Sequence, residues 1–118
     1  MRRPKLALDR DDVVLVTFPF TDLAGNKLRP ALVVGRPLRD DVIMAFISSR
    51  ADVVAGAAEL TMAPPDPEFT PTGLKVASRV RLNKIATLHR SLVRRRLGRI
   101  GPRTRRAVDR GLRHVFDL

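Results

Sequence analysis

Apolar positions come in short runs of β-branched and aliphatic residues, each stopped by a turn former. Asp12-Val13-Val14-Leu15-Val16-Thr17-Phe18 is too short for a helix and ends at Pro19, so it predicts a strand. Thr21 to Lys27 has turn chemistry with Gly25-Asn26 at its tip, and a return strand follows from Pro30 to Gly35. Arg39-Asp40-Asp41 turns the chain into a third strand, Val42 to Ile47, which runs out into Ser48-Ser49-Arg50. Ala57 to Thr61 predicts a weaker strand. Pro64, Pro65, Pro67 and Pro71 then make a loop, closing on Gly73, that excludes helix and central strand.

Beyond that loop, Val76, Ser78, Val80 and Leu82 alternate with Lys75, Ala77, Arg79 and Arg81. This is the period of a half-buried strand with a basic outer face. Ile85 to Leu88 and Ser91 to Leu97 predict two further short strands, the second carrying Arg94-Arg95-Arg96. Only the tail, 102–117, has helical spacing. Pro102 suits a first helical position, and Thr104, Val108, Leu112 and Val115 share one face. Strands followed by one terminal helix predict a mainly β chain, a small twisted antiparallel sheet or partly open barrel. At 118 residues it is one domain, with residues 1–10 a loose basic arm.

Charge changes this picture more than composition does. The chain holds 23 Lys+Arg against 12 Asp+Glu, a net +11, and residues 91–118 alone hold nine arginines against two aspartates. Such a field favours a polyanion, either nucleic acid or an acidic protein segment. The competing reading is an arginine-rich proteome with solvated basic faces. Aromatic content is 4%, all phenylalanine, so a platform of stacked bases is poorly supported. No apolar run approaches a membrane span and no secretory segment opens the chain, so a cytoplasmic location is expected.

The candidate chemistry starts at Arg29-Pro30. Proline cannot donate to a ladder and pushes the preceding residue into extended backbone, so Arg29 is expected at a loop-to-strand junction. A guanidinium held there can meet a phosphate, or simply close a strand. Cysteine is absent, and His89 and His114 fit no metal-ligand spacing, so neither metal nor cofactor is expected. His114 near a helix end is better read as complementing the helix dipole. No nucleophile elbow or phosphate-binding glycine loop is present.

Three features in order carry a resemblance: DVVLVTFPFTDLAGNKLRPALVV, the hydroxyl-ended strand VIMAFISSR, and VRLNKIATLHRSLV after a Pro/Gly loop. Over residues 11–117 the chain resembles the PemK/MazF toxins of bacterial toxin–antitoxin pairs. That resemblance implies a homodimeric, SH3-like antiparallel β-barrel with a C-terminal helix. It also implies metal-independent cleavage of single-stranded RNA, by 2′-hydroxyl attack to a 2′,3′-cyclic phosphate, with an acidic antitoxin as partner. In that pattern Arg29 is catalytic, Ser48 acts beside it, and Arg81 and Asn83 match an arginine–aspartate pair found in some members. Lys27, Arg50, Arg79 and Lys84 are then expected to contact RNA, with Ser49 beside them.

Fixed positive groups and hydroxyl donors suit the charge that builds on a phosphorane. Asn83, however, cannot take a proton, which leaves Asp22 and His89 as nearby-in-sequence bases and weak activity as an expectation. Two other readings stand beside the ribonuclease: a CcdB-like gyrase inhibitor of the same fold, and a basic RNA-binding module whose catalysis has lapsed.

Overall fold

The computed structural model describes residues 7–17, 27–36, 38–50 and 56–118. Six strands form one antiparallel sheet: β1 (Asp12–Thr17), β2 (Leu28–Val33), β3 (Asp41–Ser48), β4 (Glu59–Met62), β5 (Ser78–His89) and β6 (Val93–Arg99). Helix α1 (Pro102–Phe116) follows. The order across the sheet is β4-β5-β3-β2-β1-β6. β1 and β2 pair from Thr17↔Leu28 to Val13↔Leu32, the register of the expected hairpin. The hairpin tip Gly25-Asn26, and residues 1–6 of the expected arm, lie outside the described residues.

The link between β5 and β6 dictates the curvature. Only the short 3-10 turn Arg90–Leu92 joins them, although β3, β2 and β1 lie between them in the sheet. In a flat sheet four strand spacings would separate the two by roughly 19 Å. The link spans at most about 14 Å even when extended. The sheet must therefore roll, which makes it barrel-like without a β4–β6 ladder to close it.

Rolling also explains why the strand runs are apolar throughout. One face of the sheet gathers Val13, Leu32, Ala45, Ile47, Val80 and Leu82 with Ile100 and Val108. The other gathers Val14, Val16, Ala31, Val33, Val42, Met44 and Leu88 with Leu8 and Val93. Successive residues of β1 thus enter different clusters, as a strand buried on both faces requires. Val108 places α1 on the first of them.

Three elements differ from the sequence expectation. The segments 75–82 and 85–88, expected as separate strands, are one twelve-residue strand, β5. The register slips between Phe46↔Arg81 and Ala45↔Ile85, so residues 82–84 bulge and the strand bends without breaking. The proline loop contains a 3-10 turn, Thr70–Thr72, where no helix was expected. Buried Thr72 stabilises it, its Oγ1 donating to the Phe69 carbonyl at 2.6 Å. Gly98 and Gly73 let this loop lie backbone-to-backbone on β6, since a Cβ at either would overlap a Pro71 or Leu97 carbonyl. The helix stops one residue before its expected end because Asp117 adopts the left-handed conformation.

At the other end of α1, Gly101 offers no side-chain cap. Glu68 supplies one from the loop: it accepts the N–H groups of Arg103 and Thr104, at 3.1 and 2.8 Å, and the Thr104 hydroxyl at 2.7 Å. A carboxylate at a helix N-terminus also complements the dipole. The loop and helix are therefore fixed together, and the loop's far end, 74–76, becomes a wall of the cavity described next.

Candidate functional site

The β2–β3 ladder runs from Val33↔Met44 to Ala31↔Phe46 and no further. The next residue of β2 is Pro30, which has no N–H to give. Beyond it the strands part. β2 stays with β1, through Pro30↔Leu15 and Arg29↔Val16, while β3 stays with β5, through Ile47↔Val80 and Ser48↔Arg79. A proline in a strand thus makes a fork, with Arg29 on one side and Ser48 on the other.

A cavity of about 960 Å³ opens at this fork. Arg29 and Pro30 line it from β2, Ser48, Ser49 and Arg50 from the end of β3, and Arg81 from β5. The three residues expected to be catalytic, Arg29, Ser48 and Arg81, are therefore brought to one cavity from three strands. Ser48 is half-buried, and its Oγ accepts the backbone N–H of Arg50 at 3.1 Å. Arg81 approaches Glu59 on β4, Nε to Oε2 at 3.4 Å.

Other expected positions fall elsewhere. Arg79 does not line the cavity; it is buried and ion-paired to Glu59 at 3.2 Å. Asn83 and Lys84 are exposed on the bulge of β5, and Lys27 is exposed just before β2; none of the three lines the cavity. His89 pairs with Asp41 at the opposite end of β3 from Ser48. Seven residues of extended chain put it roughly 23 Å away along the strand, out of reach within one chain. Its Nδ1 instead accepts the Ser91 N–H at 3.1 Å, capping the short turn before β6. Asp22 lies outside the described residues.

Sequence reasoning missed half of the cations on the wall. Lys75 comes from the proline loop, and Arg95 and Arg96 come from β6. The arginine run of β6 is visible in the sequence, but its pairing with β1, Leu15↔Arg95 and Val14↔Arg96, is not. With Arg29, Arg50 and Arg81 they make six cations, and no carboxylate or imidazole lines the cavity among the described residues. Leu28 and Val76, about half exposed, add apolar surface beside them. Such a wall suits a polyanion whose phosphates meet guanidinium forks and whose apolar parts meet the side chains between them. Among the described residues no three His, Asp or Glu side chains gather into a set that could hold a metal ion, and no helix is long and apolar enough to cross a membrane.

The family model of the PemK-like, MazF-like toxins of type II toxin–antitoxin systems matches residues 9–116. Among solved structures, an endoribonuclease in complex with its cognate antitoxin from Mycobacterial species is 21% identical. It covers 95% of this chain and 97% of its own, with a TM-score of 0.71. The Mycobacterium tuberculosis toxin MazF-mt6 is also 21% identical over 91% of this chain and 97% of its own, again at 0.71. A MazE–MazF structure from Deinococcus radiodurans is 20% identical over 94% and 97%, at 0.71. At these identities the structures show a shared fold. No curated protein matches the sequence significantly.

Proposed function

This chain belongs to the PemK-like, MazF-like toxins of type II toxin–antitoxin systems, and from that membership we propose that it is a metal-independent endoribonuclease acting on single-stranded RNA. The observation that supports the reading most is the fork at Pro30, where Arg29 and Ser48 face one cationic cavity with Arg81. In the proposed reaction a ribose 2′-oxygen bonds to the adjacent phosphorus as the P–O5′ bond breaks. The products are a 2′,3′-cyclic phosphate and a 5′-hydroxyl. Negative charge grows on the non-bridging oxygens, where Arg29 and Arg81 stabilise it and the Ser48 hydroxyl donates a hydrogen bond.

The 2′-proton has to leave and the 5′-oxygen has to gain one. Arginine stays protonated at neutral pH and so is no base there. Water therefore takes the 2′-proton unless Asp22 does, and water returns one to the leaving 5′-oxygen. A positioned base is worth about 100- to 10,000-fold, so cleavage through water alone is slow. The same observation favours a second reading, an RNA-binding module whose chemistry has lapsed. Under either reading the partner is an acidic antitoxin segment that competes for the cavity, and the working unit is a homodimer.

One assay separates the readings. Purified protein is incubated with single-stranded RNA and EDTA beside an Arg29→Ala variant. Cyclic-phosphate ends that disappear in the variant are the expected result. Binding without cleavage supports the lapsed module; if neither occurs, gyrase-linked breaks in a parallel incubation with gyrase, plasmid DNA and Mg2+ would overturn both in favour of a gyrase inhibitor.

A further inference from the structure

We infer that Glu59 is a positioning residue: it fixes the guanidinium of Arg81 in the cavity wall, braced by the buried Arg79. This rests on the proposal that Arg81 meets the scissile phosphate. β4 and β5 pair with Glu59 directly opposite Arg81 and Thr61 opposite Arg79. Directly opposed residues share a sheet face, as do residues two apart on one strand. Glu59, Arg79 and Arg81 therefore converge on one side. A single oxygen, Oε2, lies 3.2 Å from Nε of Arg79 and 3.4 Å from Nε of Arg81.

The two arginines use that carboxylate differently. The Arg79 side chain is only 8% exposed, and a cation so far from water is retained only beside an anion. Glu59, itself 18% exposed, is an anion at ion-pair distance from it. The Arg81 side chain is 38% exposed and reaches the cavity. Glu59 approaches it on the side of the inner nitrogen as an ion pair without a made hydrogen bond, since the buried Nε of both arginines makes none among the described residues. The guanidinium keeps its terminal Nη donors for a phosphate. An arginine on an open strand would have to give up rotamer freedom when it met substrate; this one is already held. Glu59 does not line the cavity, so it neither repels the phosphate at contact nor accepts the 2′-proton. Two guanidiniums sharing one carboxylate keep the site cationic.

Three variants and two readouts test this. Glu59→Gln keeps the shape and removes the charge; it is expected to lower kcat about 10- to 100-fold, the scale of a misplaced catalytic group, with little change in KM. Glu59→Asp keeps the charge and is expected to recover much of that loss. In an Arg81→Ala background Glu59→Gln is expected to cost nothing further, because the group it positions is gone. Independently of activity, the Nε–H signal of Arg81 in 15N NMR is expected to be sharp in the wild type and broadened by Glu59→Gln.

A wild-type kcat in Glu59→Gln would overturn the inference, as would an equal loss in both backgrounds, the additive signature of general destabilisation. If Glu59→Gln fails to fold because Arg79 loses its anion, Glu59→Gln with Arg79→Met removes the buried cation too, and the same readouts apply. If the wild type cleaves no RNA, the functional proposal fails by itself. The NMR comparison still decides the positioning role, and an unchanged Arg81 signal rejects it.

Discussion

The hydroxyl oxygen of Ser48 accepts the backbone N–H of Arg50 at 3.1 Å. A hydroxyl has one proton to donate and two acceptor positions. Accepting that N–H leaves the Ser48 hydroxyl its own proton to donate, and the residue lines the cavity. Ser48→Ala is therefore expected to lower single-turnover cleavage about 100- to 1,000-fold, the usual cost of losing one such donor. Ser48→Thr keeps the hydroxyl and is expected to retain most of the rate. Equal losses in the two variants would mean that the site needs the space and not the proton.

Arg95 and Arg96 reach the same cavity from β6, the last strand of the sheet. If RNA phosphates run past them, removing both charges changes the salt dependence of binding as well as its strength. The slope of log K against log salt is about 0.7 per phosphate contact for single strands, so Arg95→Gln with Arg96→Gln is expected to lower it by about 1.4. Fluorescence anisotropy with a labelled oligoribonucleotide across a salt series measures this. An unchanged slope would take β6 out of the RNA path.

Asn83 occupies the bulge of β5, exposed and away from the cavity wall. Restoring an acid there is therefore expected to give no useful base. Asn83→Asp should cleave within about threefold of the wild type, far below the 100-fold or more that a positioned base supplies. A gain of that larger size in a cyclic-phosphate end assay would show that this position reaches the reacting ribose after all.

Acid should undo the junction between the loop and α1. The carboxyl of Glu68 is held below its usual range by the Thr104 hydroxyl first, and then by the backbone N–H groups of Thr104 and Arg103. That of Asp66 is held down by the Glu68 N–H and then by the Arg103 guanidinium. Both acids are thus weaker bases folded than unfolded. Their stabilisation is complete above the unfolded values, near pH 4, and is lost as pH falls through the lower folded ones. The melting temperature is expected to fall below about pH 4, with Glu68→Gln melting lower at neutral pH and showing a shallower acid decline. Circular-dichroism melts across that range check both.

The local elements were legible because their causes are local. Apolar runs of strand length, stopped by proline or turn residues, mark β1 to β3, and Pro102 with the 3.6-residue stripe ending in Val115 marks α1. Arg29-Pro30 could be read as a junction for the same reason: what proline does to a ladder and to its neighbour is a property of two residues. Even the expectation of a polyanion partner rests on net charge alone.

What the tertiary structure decided is which charges face the same space. Arg79 and Arg81 are alike in the alternating sequence pattern, both lie opposite β4 and both approach Glu59, yet Arg79 is buried and Arg81 lines the cavity. His89 and Asn83 lie close to Arg81 in sequence and away from the cavity, because β5 is one long strand with a bulge where two short strands were expected. Arg95 and Arg96 are distant from Arg29 in sequence and share its cavity, because β6 pairs with β1 across the rolled sheet. Register and strand order are collective outcomes of packing two apolar clusters at once, so no single segment of the chain encodes them.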